Sequence, residues 1–336
     1  MKKIQFRLII LFTIILIFGI MAEKKRSSEK SNNNIKQYEN NQKNEQKNEK
    51  PVKKAKFLIN QEQFFDGEVI ESKKYQNGQH SIKYYSYQEE QQKENEIRYR
   101  DVSGKLRSIL IDPNVNKNEY EWEGSVYDGY SPNGHDISYG VDVSHHNGNI
   151  DWEKVKNAGF EFAFVRICYR GYGYRGSLNE DEKAIWNLKK AKEAGLKIGA
   201  YVFSQAINAN EAVEEAKYSI DLLNDIKLDL PLVFDPETIK NEVARTDDVK
   251  GEQFTKNAIA FCDYIKARGY KPAVYSNLVW EDYYFDMAKL NDYEIWYADY
   301  EKFPQTPYNF TYWQFSAQGI VDGINGNVDL NVWIKK

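Results

Sequence analysis

From Ser138 to the C-terminus, short apolar runs and amphipathic stretches take turns over about 200 residues, and this alternation limits the fold more than any other feature. Strand-like runs at 140–143, 162–167, 198–203 and 232–234 alternate with helical stretches near 151–158, 180–194, 209–224 and 252–268. Ala-Gly or Arg-Gly closes three of those helices, at Gly159, Gly195 and Gly269, where a left-handed glycine ends a helix without steric cost. Further strand-like runs at 273–276, 294–297, 312–315 and 328–330 follow with less helix between them. Such alternation predicts parallel strands, in a doubly wound sheet or a closed barrel. Eight strand candidates favour the barrel, an α/β fold of the irregular (β/α) kind, whose chemistry gathers at the carboxyl ends of its strands.

The first half of the chain has a different composition. Lys2, Lys3 and Arg7 precede an apolar run at 8–22, too short for a bilayer span of about 20 residues and well suited to a signal sequence. No A-x-A cleavage site follows it, and Lys24, Lys25 and Arg26 do, so residues 1–22 read as a signal peptide or an uncleaved membrane anchor. Either places the remainder outside the cell or on its surface. Residues 23–56 are rich in Lys, Glu, Asn and Gln and almost devoid of apolar side chains, the composition of a disordered basic linker. Residues 57–130 mix aromatic, β-branched and charged residues around Asp66-Gly67, Asn77-Gly78 and Ser103-Gly104, which are hairpin signals. They predict a small antiparallel β module. Two of its pieces, YQNGQHSIKYY and YRDVSGKLRSI, weakly resemble MORN-like repeat strands.

Charge excludes one class of partner. The first 56 residues carry 14 Lys/Arg against 5 Asp/Glu, which leaves −13 for the remainder of a chain of net charge −4. An acidic globular part repels phosphate backbones, so no nucleic-acid partner is expected. Cys168 and Cys262 lie far apart without metal-type spacing and read as two buried free thiols.

At the predicted strand ends stand four carboxylates: Asp142 in GVDVS, Asp235 and Glu237 in LVFDPE, and Asp329 in VDLN. A D-x-E triplet by itself is more often a solvated strand end or a helix cap, and Asp142 by itself can cap a turn. A divalent-cation site is a further reading, because oxygen clusters suit such ions. Closure of the barrel makes the first strand the neighbour of the last and brings all four acids to one mouth. Side chains two apart on a strand share a face, so Asp235 and Glu237 point the same way. Crowded carboxylates cannot all ionise, and a carboxyl that keeps its proton beside one that does not is the equipment of a glycosidase.

The strings GVDVSHHNGNIDWEKVK, AGLKIGAYVF, LVFDPE, ARGYKPAVYSN, IWYADY, YWQFS and GINGNVDLN, in this order, resemble the glycoside hydrolase family 25 lysozymes, the Chalaropsis-type N-acetylmuramidases. The resemblance covers about residues 138–336. It implies an irregular barrel that hydrolyses the β-1,4 bond between N-acetylmuramic acid and N-acetylglucosamine, with peptidoglycan glycan strands as partner, a monomeric state and no cofactor or metal. It implies Glu237 as general acid, Asp235 as nucleophile or as orienter of the substrate N-acetyl group, and Asp142 and Asp329 as flanking acids. Tyr201, Tyr275, Trp296, Tyr300 and Trp313 fall where that family lines its sugar groove. Many relatives carry His where this chain has Val202, which should face away from Tyr201. Two rival readings stand beside this one: a catalytically silent wall-binding barrel, and a glycosidase of chitin-like N-acetylglucosamine polymers.

Three motifs are set aside. GYGYRG at 171–176 fits G-x-G-x-x-G, but its bulky Tyr172, Tyr174 and Arg175 would crowd a pyrophosphate, and the next helix is expected only near Asn179. His145 and His146 are adjacent, so their rings are expected to diverge, with His146 near Asp142. DGINGNVD at 322–329 lacks the ligand order of an EF-hand and reads as Gly turns before a strand.

Overall fold

A computed structural model describes residues 55–59, 96–100, 106–239 and 242–335. The apolar run at 8–22, the linker to residue 54 and the hairpin signals at 66–67 and 77–78 lie outside the described residues. So does the repeat-like piece at 75–85.

Twelve strands are numbered in chain order: β1 (Leu58–Ile59), β2 (Glu96–Arg100), β3 (Leu106–Leu110), β4 (Asp136–Val143), β5 (Phe162–Arg170), β6 (Leu178–Glu180), β7 (Lys197–Ser204), β8 (Leu232–Pro236), β9 (Pro272–Asn277), β10 (Glu294–Ala298), β11 (Tyr312–Ile320) and β12 (Val328–Lys335). The principal helices are α1 (Trp152–Asn157), α2 (Ala184–Glu193), α3 (Ala209–Leu223), α4 (Gly251–Lys266) and α5 (Leu278–Tyr283). Strands β4, β5, β7, β8, β9, β10 and β11 are neighbours in that order, and all pair in parallel. The eighth, β12, closes the barrel by pairing antiparallel with both β11 and β4.

Closure by an antiparallel strand corrects the expectation of parallel strands throughout. Asp329 reaches the mouth because β12 begins there, at its amino end, whereas Asp142 and Asp235 reach it at carboxyl ends. The helix expected from residue 180 starts instead at Ala184, because 178–180 forms β6 against β5. Gly159, Gly195 and Gly269 adopt φ of +100°, +83° and +83°, as helix-ending glycines should.

Alternation along each strand divides the core in two. Phe162, Phe164, Tyr201, Val233, Tyr275, Trp296 and Tyr312 fill the barrel interior. Val165, Val202, Phe234, Val274, Tyr297 and Trp313 belong to the layer outside it. Two glycines make the interior aromatics fit: a Cβ on Gly140 would lie 2.4 Å from the Phe162 ring, and one on Gly199 2.4 Å from that of Phe164. Cys168 and Cys262 are buried and free.

Strands β2 and β3 form a separate two-stranded antiparallel sheet, the described part of the predicted β module. It docks on the barrel through Gln305, whose amide donates to the Arg100 carbonyl and whose oxygen accepts from the Arg100 N–H, both at 2.9 Å. Buried Tyr99 adds a bond to the Leu278 carbonyl at 3.1 Å. Residues 111–135 then run along the outer layer, where Trp122 packs edge-on to Trp313 at 5.4 Å and Tyr127 bonds the Phe315 carbonyl at 2.8 Å. The described segments at 96–100 and 106–135 thus pack against the barrel wall.

Candidate active site

The centre of the mouth is the Asp142 carboxylate at the end of β4, 5% exposed. Its Oδ2 accepts from Gln314 Nε2 at 2.8 Å and from Asn331 Nδ2 at 2.7 Å. Each amide is itself oriented. Gln314 Oε1 accepts from Tyr300 at 2.9 Å and Tyr275 at 3.2 Å, and Asn331 Oδ1 accepts from the Trp296 indole at 2.8 Å. Those three donors fix which end of each amide faces Asp142. Burial raises the Asp142 pKa, and the amide donors pull it back towards the ionised form.

Asp329 stands opposite Asp142 in the β4–β12 register. Burial, then the charge of Asp142, pushes Asp329 well above the usual carboxylate range.

Asp235, at the end of β8, is 3% exposed, and its Oδ1 has no hydrogen-bond partner. Burial raises its pKa strongly, and the neighbouring charges of Glu237 and Asp142 raise it further. Arg166 opposes the shift. Glu237 lies one residue past the strand and is exposed. Its backbone carbonyl accepts from Gln205 Nε2 at 2.7 Å, and Gln205 Oε1 accepts from Thr246 Oγ1 at 2.9 Å. The mouth thus combines two buried carboxyls whose pKa is raised, Asp235 and Asp329, with an acid at the solvent edge.

The aromatics separate into two sets. Tyr201, Tyr275 and Tyr300 are grouped electrostatically with the four acids, each feeling the charge of Asp142. Trp296 is 1% exposed and forms the floor beneath them, stacked on Phe164 at 4.7 Å and edge-on to Tyr275 at 5.1 Å. Trp313 is turned to the outer layer, where its indole donates to the Asp299 carbonyl at 2.8 Å. It takes no part in the mouth, because it directly follows interior Tyr312 and successive strand side chains face opposite ways. Val202 turns outward from Tyr201 by the same rule, as expected.

Sequence reasoning missed Gln314, Asn331, Gln205 and Arg166. The available signal was a polar side chain inside an aromatic or apolar run, as in YWQFS and VDLNVW. Arg166 donates from Nε to Asp181 at 2.9 Å and from its NH2 group to His145 Nδ1 at 2.7 Å. The His145 and His146 rings lie 4.0 Å apart on a short 3-10 turn, so the expected divergence is corrected. The carboxylate they meet is Asp181, to which the His145 backbone N–H donates at 3.0 Å. Burial, His145 and Arg166 together lower the His146 pKa.

The GYGYRG loop is fastened at Tyr172, which bonds Glu242 at 2.5 Å and whose carbonyl accepts from the Arg245 N–H at 2.9 Å, and at Gly176, whose carbonyl accepts from Arg170 at 2.8 Å. The Arg245 guanidinium fills the place a Cβ on Gly176 would occupy. Among the described residues no group of three or more His, Cys, Asp or Glu is arranged to hold a metal ion, and no helix is long and apolar enough to cross a membrane.

The model of glycosyl hydrolases family 25 matches residues 141–324, more than half of the chain, and takes in Asp142, Asp235 and Glu237. The chain belongs to glycosyl hydrolases family 25. Among members of known name, the autolytic lysozyme of Clostridium acetobutylicum is 27% identical over 195 residues, 57% of this chain and 54% of that protein. Lysozyme M1 of Streptomyces globisporus is 30% identical over 202 residues, 57% of this chain and 66% of that one. The chain thus spans about half the length of the first of these family 25 proteins. The barrel is shared with the modular autolysin LytC of Streptococcus pneumoniae, at a TM-score of 0.53 and 22% identity over 72% of this chain and 57% of that one.

Proposed function

We propose that this chain is an exported lysozyme of the N-acetylmuramidase type, cleaving the β-1,4 bond from N-acetylmuramic acid to N-acetylglucosamine in peptidoglycan. The observation that carries the reading is the division of labour among four acids at one barrel mouth. Glu237 is exposed where a glycosidic oxygen can reach it, while Asp235 behind it is buried and proton-holding. Membership of family 25 and similarity to two named lysozymes support the reaction class.

In this mechanism Glu237 donates a proton to the leaving oxygen as the sugar flattens towards an oxocarbenium ion. Asp142, whose charged form two amide donors favour against burial, lowers the energy of the developing positive charge when ionised. Asp235 orients the acetamido group of the substrate, whose own carbonyl oxygen attacks the anomeric carbon. Its buried, unpartnered Oδ1 supports this role over direct attack, because it has an unmet hydrogen-bonding need and little room to approach a sugar carbon. Tyr201, Tyr275 and Tyr300 border the sugar, and Trp296 acts from below through Asn331. The basic segment at 23–56 tethers the barrel to an anionic surface, and residues 1–22 export or anchor it.

The test is digestion of purified peptidoglycan with the intact chain, followed by identification of the new reducing end. Muramic acid reducing ends, absent with Glu237→Gln, are the expected result. No release from any wall preparation would leave a silent wall-binding barrel. Release from chitin alone would make the chain a glycosidase of N-acetylglucosamine polymers.

A further inference from the structure

The exposed face of α2 is charged, with Lys189, Lys190, Lys192 and Glu193 in solvent, except at its start, where Trp186 is 41% exposed. An indole left in water stands out among charged neighbours. Trp186 forms one wall of a surface depression of about 630 Å³, together with Glu182 and Lys183. The facing wall is Asn149, Ile150 and Asp151.

This depression is linked to the mouth through the chain. Its facing wall is the segment that leaves β4 just after Asp142, passing through the His145–Asn147 turn. The heads of α1 and α2 both lie on the carboxyl-end face of the barrel, the face on which the four acids open. The two walls are locked together. Fully buried Asp181, one residue before Glu182, accepts from the backbone N–H of His145 at 3.0 Å and from Arg166. Lys183 Nζ spans the gap to Asn149 Oδ1 at 2.9 Å. A preformed hollow of this kind costs little ordering when it is filled.

We infer that the depression around Trp186 is an outlying glycan subsite, which holds an N-acetylglucosamine unit of a strand whose scissile bond lies at the mouth. The chemistry of the lining selects that occupant. A pyranose ring has an apolar face that covers an indole and a rim of hydroxyl and acetamido groups, which the Asn149 amide and the Asp151 and Glu182 carboxylates can bond. Lys183 keeps its charge beside Asn149 and Lys154 pairs with Asp151 at 3.9 Å, so the lining carries little net charge and suits an uncharged sugar. The neutral sugar of the alternating polymer is the one that fits. The inference rests on the proposed glycan substrate, and its test separates the two.

The test has a binding arm and a kinetic arm. In the intact chain carrying Glu237→Gln, affinity for a pentamer of N-acetylglucosamine is measured by titration calorimetry with and without Trp186→Ala. A loss of about tenfold, the size of one aromatic contact, is expected, with Trp186→Phe retaining most of the affinity. In the chain with native Glu237, Trp186→Ala should raise KM for intact peptidoglycan about tenfold at unchanged kcat and unchanged thermal midpoint. Equal pentamer affinity in the two proteins would overturn the subsite, as would a fall in kcat with KM unmoved. Trp186-dependent self-association without sugar would overturn it too, by showing the indole to be a contact between copies. If the chain releases no reducing ends from any wall, the catalytic reading fails while the binding arm still decides the subsite.

Discussion

Asp142 and Asp329 face each other across the antiparallel strand pair that closes the barrel, and the charge of Asp142 adds to burial in raising the Asp329 pKa. Together they push Asp329 well above the usual carboxylate range, which favours its protonated form. Replacing it with Asn supplies a permanent donor to Asp142, so Asp329→Asn should keep activity on peptidoglycan near the native level at acid pH. Its alkaline limb should move upward, because the native Asp329 loses its proton there and the variant has none to lose. Asp142→Asn removes the charge itself and should cost on the order of 100-fold in kcat. A pH–rate profile of both variants checks the assignment, and an unmoved alkaline limb in Asp329→Asn refutes it.

Buried carboxyls away from the mouth give the fold its own pH dependence. Glu281 is 5% exposed, accepts from Thr306 Oγ1 at 2.7 Å through Oε2, and leaves Oε1 without a partner. Burial raises its pKa from 4.5 to about 8. The folded protein therefore keeps this proton over a range in which the unfolded chain has released it, and stability falls as pH rises from near 4.5 to about 8. The loss is at most about 5 kcal/mol for this group. Glu281→Gln removes it, so thermal midpoints at pH 6 and pH 8.5 should lie closer together in the variant than in the native chain. An unchanged gap would place the pH dependence elsewhere.

What the sequence made legible follows a simple physical division. Strand and helix positions were visible because they depend on local periodicity, and the four acids were visible because charge at the end of an apolar run is conspicuous. The direction of β12 was not, since pairing sense depends on how the chain returns and not on strand composition. Nor were Gln314 and Asn331, whose importance lies in contacts with Tyr300, Tyr275 and Trp296 from other strands. Trp313 shows the limit of motif reasoning. It sits in the same YWQFS string as Gln314, yet one step along a strand turns it to the opposite face.

That placement makes opposite predictions for two aromatics of the motif string. Trp313 is fully buried between Trp122 and Phe315, so Trp313→Ala should destabilise the chain by about 3–5 kcal/mol. The protein that remains folded should show a near-native KM. Tyr300→Phe removes one of two donors that orient Gln314 and should lower kcat with little change in stability. Denaturant unfolding and initial rates on the same preparations separate the two effects, and a raised KM in Trp313→Ala would return that indole to the sugar groove.

Gln205 is the remaining test of how the proposed acid is held. It is fully buried just after β7, and its amide ties the Glu237 carbonyl to Thr246 on the loop that follows. Glu237 itself extends past the end of β8, where no strand pairing fixes its backbone. Loss of the Gln205 amide frees that backbone while leaving the Glu237 carboxyl chemically intact. Displacement of a catalytic group by about 1 Å costs on the order of 100-fold, so Gln205→Ala should reduce kcat by roughly 10- to 100-fold with KM changed far less. Gln205→Glu keeps the acceptor for Thr246 but not the donor to Glu237, and should resemble Gln205→Ala. If it instead matches the native rate, the bond to the Glu237 carbonyl does not position the acid.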